Sequence, residues 1–240
     1  MKILRVLAIC LMLASCSDNQ KTATDDDKPA TGEPTAEKSS PKEVPKGTLY
    51  LESYIVGGLS IGWLWLGDDG SFVKNPVRGA NPIDLAAEKE LNAVNTGTYT
   101  KNGDLISVTY QSGKTENWKM EYTDGKLNTI DGWFVEPQQG MPDNYKLEGN
   151  FTGSFKIGYV SKQQTYSFHK DGSLELASMA TVNVEGAGGT AVGEPEKGTY
   201  TISGNTLHIT MANGDESVAL IGVIPGDKPS VIINYSMFMQ

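Results

Sequence analysis

The chain has 240 residues, 38% hydrophobic and 20% charged, with 20 Lys and Arg against 29 Asp and Glu for a formal charge of −9. That composition allows one large or two small globular units with a real core and excludes a chain disordered throughout. The acidic balance, with no basic patch interleaved with aromatic residues, argues against nucleic acid as a partner.

The chain begins "MKILRVLAICLMLASC", in which Lys2 and Arg5 precede an apolar run from Ile3 to Leu13. A run of about 11 residues is too short to span a bilayer as a helix, so residues 1–15 read as a signal peptide. "LASC", Leu13 to Cys16, resembles the lipobox of bacterial lipoproteins. The resemblance implies cleavage before Cys16, a diacylglycerol on its sulfur and an acylated amine, with palmitate-type chains holding the protein on a membrane. Buried acyl chains contribute about 0.8 kcal/mol per CH₂, so two or three give a lasting anchor. It also implies the cell envelope, with the outer membrane favoured. Ser17 resembles an outer-membrane sorting residue and the acidic residues nearby resemble surface-export signals, which leaves periplasmic face and cell surface both open. Only Cys10 and Cys16 occur, and with the first removed and the second lipidated no thiol is left for a nucleophile, a thiolate metal site or a redox pair.

After Cys16, the stretch 17–46 is rich in Pro, Ser, Thr and charged residues and has no aromatic residue. It cannot bury enough apolar area to offset its ordering entropy and reads as a disordered tether. Asp25 to Asp27 fit a solvated charge run better than a calcium loop.

Beyond Gly47 the chain repeats itself. "GTYTKNGDLISVTYQSGKT" from Gly97 returns as "GTYTISGNTLHITMANGDE" from Gly198, and "DGSF" from Asp69 returns as "DGSL" from Asp171. Each copy alternates β-favouring runs with Asn/Asp/Gly turns, which predicts about six or seven strands per copy in meander order. Asp84 caps a predicted short helix within Pro82–Val94, where the second copy has the Gly-rich loop "VEGAGGTAVGEPEK". The expected fold is all-β: two tandem antiparallel barrel-type repeats, 47–142 and 145–240, with one short helix in the first. A single barrel fused from both halves is the alternative. The recurring "DG-S-F/L" turn and "G-T-Y-T-x-x-G-x-x-L/I" strand resemble the small lipocalin-like β domains of bacterial lipoproteins. That resemblance implies a fold and offers no catalytic residues.

The second copy also serves as an internal reference. Ile106, Val108 and Tyr110 match Leu207, Ile209 and Met211, while Trp118 and Met120 match Ala219 and Ile221, all predicted core. With the "DG" turn as anchor, Leu64 and Leu66 match Tyr166 and Phe168, whereas Trp63 and Trp65 match Thr165 and Ser167. In the last strand Ile130 and Phe134 match Val231 and Tyr235, with Trp133 opposite Asn234. Trp63, Trp65 and Trp133 are therefore the candidate ligand or interface residues. Contact between the two halves, or cover by the short helix, is one account of them, and a surface for a small apolar, glycan or peptide ligand is the other.

No nucleophile elbow, zinc-protease or nucleotide-binding fingerprint occurs. His169 and His208 read as surface residues, and Asp68 and Asp69 as turn formers. No cofactor, metal site or catalytic residue is expected. The sequence predicts a non-enzymatic, membrane-anchored binding module of the envelope. A purely structural envelope lipoprotein is the alternative, with a hydrolase the least expected.

Overall fold

The computed structural model describes residues 45–184 and 187–240, apart from the side chains of Ile157, Asn183, Val184 and Ala187. The expected signal segment, Cys16 and all but the last two residues of the tether lie outside the described residues. The rest forms two closed eight-stranded antiparallel barrels in tandem with one short helix.

The first barrel runs β1 (Gly47–Ile55), β2 (Leu59–Gly67), β3 (Ser71–Lys74), β4 (Thr96–Asn102), β5 (Leu105–Tyr110), β6 (Thr115–Thr123), β7 (Lys126–Ile130) and β8 (Trp133–Gln138), which closes back on β1. The second contains β9 (Gly149–Ile157), β10 (Val160–Phe168), β11 (Ser173–Val184), β13 (Glu196–Ser203), β14 (Thr206–Met211), β15 (Glu216–Ile224), β16 (Ser230–Ile233) and β17 (Ser236–Met239). Here β17 returns to β9 through Met239 and Thr152. The remaining strand, β12 (Ala187–Val192), pairs only with the distal half of β11.

Two differences from the expected elements share a physical reason, which is that backbone polar groups must find partners. The Gly-rich stretch expected as a loop supplies β12, because Met179 to Val184 extend past β13 and need a neighbour. The predicted last strand of each copy is two strands. "IDGW" and "INYS" are tight turns, with Asp131, Gly132 and Asn234 at positive φ, a conformation that Asn, Asp and Gly adopt most readily.

This split moves the correspondence between copies at the C-terminal end. Met120 pairs with Ile130 as Ile221 pairs with Ile233, so Ile130 matches Ile233 and not Val231. Likewise Trp133 matches Ser236 and Phe134 matches Met237. The longer β15–β16 connection and a bulge between Glu121 and Tyr122 account for the extra residues.

The helix α1 (Leu85–Leu91) starts where Asp84 accepts hydrogen bonds from Ala86 N and Ala87 N, both at 3.1 Å. Its Glu88 is fully buried and accepts from the Val77 and Arg78 amides, fixing the connection between β3 and β4.

Each barrel has its own apolar interior. Leu64, Phe72, Ile106, Val108, Trp118, Met120 and Ile130 pack in the first. Phe151, Phe168, Leu174, Ile202, Leu207, Ile221 and Phe238 do so in the second. A third cluster joins the two, made by Leu49, Leu51, Trp63, Trp65 and Val73 on the outer face of β1–β3 with Leu220 and Ile232 from the second barrel.

Candidate functional site

The tryptophans singled out by copy comparison occupy two different places. Trp63 and Trp65 point out of the first barrel and are 0% and 1% exposed, in a cluster with Leu220 and Ile232 of the second barrel, with Ala80 and Ile83 of the segment that leads into α1, and with Leu85 at its start. The Trp63 indole N–H donates to the Asn234 carbonyl, and its backbone N–H donates to Asn75 Oδ1 at 2.9 Å. A Cβ at Gly222 would lie 3.0 Å from Trp63 Cη2, so the glycine makes room for the ring. Around this contact the Ala80 amide donates to Thr206 Oγ1 at 3.0 Å and Asn81 Nδ2 to Asn205 Oδ1 at 2.6 Å.

Trp133 is on the opposite side of the wall. It shares the inward parity of Val135 and stacks on Tyr54 at 5.4 Å between centroids, on the rim of the first barrel. Phe134, set on the face of Ile130 in the expected single last strand, faces outward and is 50% exposed, because the split of that strand reverses its face.

Below that rim is a group of polar and aromatic side chains that the tryptophan comparison missed. On β1, Glu52 follows Tyr50 on the inward face, is paired with Gly62 of β2 and Val135 of β8, and is only 3% exposed. Among the described residues its carboxylate takes part in no hydrogen bond or ion pair. Burial pushes its pKa upward, with the Lys74 charge opposing and Asp131 reinforcing the shift. Gly62 makes room for this carboxylate, since a Cβ there would lie 3.3 Å from Glu52 Oε2 and 3.5 Å from Asn75 Oδ1.

Lys74, across from Leu64, directs its ammonium over the Trp118 ring at 5.1 Å from the centroid. Next to it, Tyr110 Oη and Trp118 Nε1 both donate to Glu116 Oε2 at 2.9 Å. Lys114 Nζ lies 2.6 Å from Glu116 Oε1, and the hydrogen bonds from Lys114 and Trp118 hold this carboxyl at about 2. Glu116 thus has its partners, and Glu52 has none among the described residues.

The paired registers allow the same positions to be found in the second barrel. Glu52 matches Gly153, Lys74 matches Leu176, Tyr110 matches Met211, Glu116 matches Ser217 and Trp118 matches Ala219. At Gly153 a Cβ would come within 2.7 Å of Phe238 Cδ1, so hydrocarbon fills the place that Glu52 holds in the first barrel. A signal for this site was present in the sequence as the same copy comparison applied to inward positions; it was lost among residues that looked like core.

The first barrel is also incompletely sealed. β7 and β8 pair only at Thr129–Phe134 and Ile130–Trp133. Below these pairs a cavity of about 510 Å³ is lined by Tyr50, Leu127 and Val135 of the interior, together with Thr123, Lys126, Asn128, Glu136 and Pro137. That volume lies in the range of small-molecule sites.

Comparison with known proteins adds one assignment. A family model described as "Lipocalin-like domain" matches residues 141–228, most of the second barrel. No curated protein and no solved structure matches the chain. The first barrel resembles the second by internal repeat and by strand order.

Proposed function

We propose that the protein is a ligand-binding module in which the first barrel takes a small amphiphile and the second serves as its docked, filled partner. The lipocalin-like match and the closed barrels support a binding module, and fold alone assigns no chemistry. The observation that carries the reading is the contrast between the two interiors. Five inward positions hold Glu52, Lys74, Tyr110, Glu116 and Trp118 in one barrel and Gly153, Leu176, Met211, Ser217 and Ala219 in the other. The polar set adds nothing that the second barrel needs in order to fold, and burying a carboxylate without a partner is costly.

In this reading Trp133 and Tyr54 form an aromatic rim, while Trp63 and Trp65 hold the barrels together and touch no ligand. The module is non-enzymatic and sits in the bacterial envelope as a lipoprotein. Cys16 carries the lipid after removal of residues 1–15, and the tether spaces the barrels from the outer membrane. Titration of the purified protein with n-octyl amphiphiles, followed by tryptophan fluorescence, tests the site. Trp133→Ser, the residue of the sister copy, is expected to weaken binding about tenfold, equivalent to about 1.4 kcal/mol, and to leave the melting temperature unchanged. Unaltered affinity would remove the rim from the site. For the anchor, Cys16→Ala is expected to abolish palmitate labelling and membrane retention, and persistence of either would refute it.

A further inference from the structure

The geometry points to a ligand that carries an ammonium group, held by Glu52 inside the first barrel, with its apolar part directed along the interior. This rests on the first barrel being the binding compartment and names the chemistry that the compartment selects.

Three observations converge on it. Glu52 is buried and makes no hydrogen bond or ion pair among the described residues, and its carboxylate occupies the space that Gly62 leaves open. A carboxylate in that state takes a cation or a hydrogen-bond donor from whatever enters. The surrounding walls are aromatic: Phe72 meets Trp118 edge to face at 5.3 Å, Tyr110 packs against Phe72 at 5.2 Å, and Tyr54 stacks on Trp133 at the rim. Such faces attract cations, as the Lys74 ammonium over Trp118 already demonstrates.

The opposite polarity fits less well. A carboxylate ligand would meet the Glu52 charge directly. Lys74, the cation that bears on Glu52, would have to leave the Trp118 face to meet such a ligand, and Lys126 stands apart at the β7–β8 cavity. A neutral hydroxyl of the same reach could donate one hydrogen bond to Glu52 but would leave its charge uncompensated. The second barrel supplies the counter-case, since with Gly153 and Leu176 at the matching positions it presents neither charge.

Three probes of equal chain length separate the possibilities: n-octylammonium, n-octanol and n-octanoate, each titrated into the full-length protein below its micellar concentration. Octylammonium is expected to bind at least tenfold more tightly than octanol, and octanoate the most weakly. In Glu52→Gln the ammonium preference is expected to collapse to within about twofold. Equal binding of ammonium and alcohol in the wild type, a preference for octanoate, or a preference that survives Glu52→Gln overturns the ammonium assignment and leaves the barrel as an apolar binder. Absence of binding by all three overturns both the assignment and the reading on which it rests.

Discussion

Glu52 and Trp63 are the two residues whose surroundings say most about this protein, and they face opposite sides of the same wall. Because burial raises the Glu52 pKa, the folded state holds its proton over a pH range in which the unfolded chain has released it. Stability contributed in this way is present at low pH and is lost as pH rises from the ordinary carboxylate range towards the raised value. Glu52→Gln is therefore expected to melt at a higher temperature than wild type at pH 7. The gap should close below about pH 4, where both side chains are neutral. Thermal melts across that range decide it, and a variant that is less stable at pH 7 would mean that Glu52 has a native partner. Neither Lys74 nor Asp131, the charges that bear on Glu52, is altered by this change.

At the level of elements, the motifs that made the repeat visible turn out to be anchoring devices. In both "DGS" turns the Asp side chain caps the Ser two residues on: Asp69 Oδ1 accepts from Ser71 N at 2.9 Å, and Asp171 Oδ1 from Ser173 N at 2.8 Å. In both "GTYT" strands the tyrosine hydroxyl reaches backbone carbonyls, Tyr99 at Gly67 O and Tyr200 at Leu147 O and His169 O. Tyr200 Oη also accepts from the Leu147 amide at 3.0 Å. Tyr200→Phe leaves those buried groups short of a partner and is expected to cost about 1–3 kcal/mol, measurable by urea denaturation. A loss below about 0.5 kcal/mol, less than the usual net worth of one such bond, would argue that water replaces the hydroxyl.

Turn chemistry of this kind was legible in the sequence because it is local. So were the capped helix at Asp84 and the alternating core of β5 and β14. The turns at Asp131 and Asn234 were harder to read, since each is flanked by apolar residues that prolong the look of one strand. Missing them reversed the face assigned to Phe134. β12 was illegible for another reason: glycine-rich segments have low strand propensity, and only the unpaired length of β11 recruits this one.

Over the whole molecule, the two barrels are joined by unlike surfaces. The first contributes Leu49, Leu51, Trp63, Trp65 and Val73, where the second has Asn150, Thr152, Thr165, Ser167 and Glu175. The second contributes Leu220, Gly222, Ile232 and Met237, where the first has Lys119, Glu121, Thr129 and Phe134. Truncating a buried aromatic costs about 3–5 kcal/mol. Trp63→Thr with Trp65→Ser is thus expected to separate one cooperative unfolding transition into two, read by calorimetry. A single undivided transition at the wild-type temperature would show that the cluster does not couple the barrels. The tryptophans were legible as extra from sequence; their partner surface was not, because an apolar outer residue such as Leu220 cannot be told from a core residue until the neighbouring barrel is in place.

That unlike pairing has a consequence for how many barrels can be strung together. A contact between two different faces, unlike one between two copies of the same face, has no built-in stop: every added module arrives with a fresh sticky side. Here the two outward ends are sealed by composition, since Thr165, Ser167 and Glu175 close one side and the Lys119–Glu121 ion pair, at 2.9 Å, closes much of the other. The duplication diverged in complementary directions, greasy on the faces that meet and largely polar on the faces left over, where the half-exposed Phe134 is the apolar exception, so neither outer face repeats the contact that joins these two.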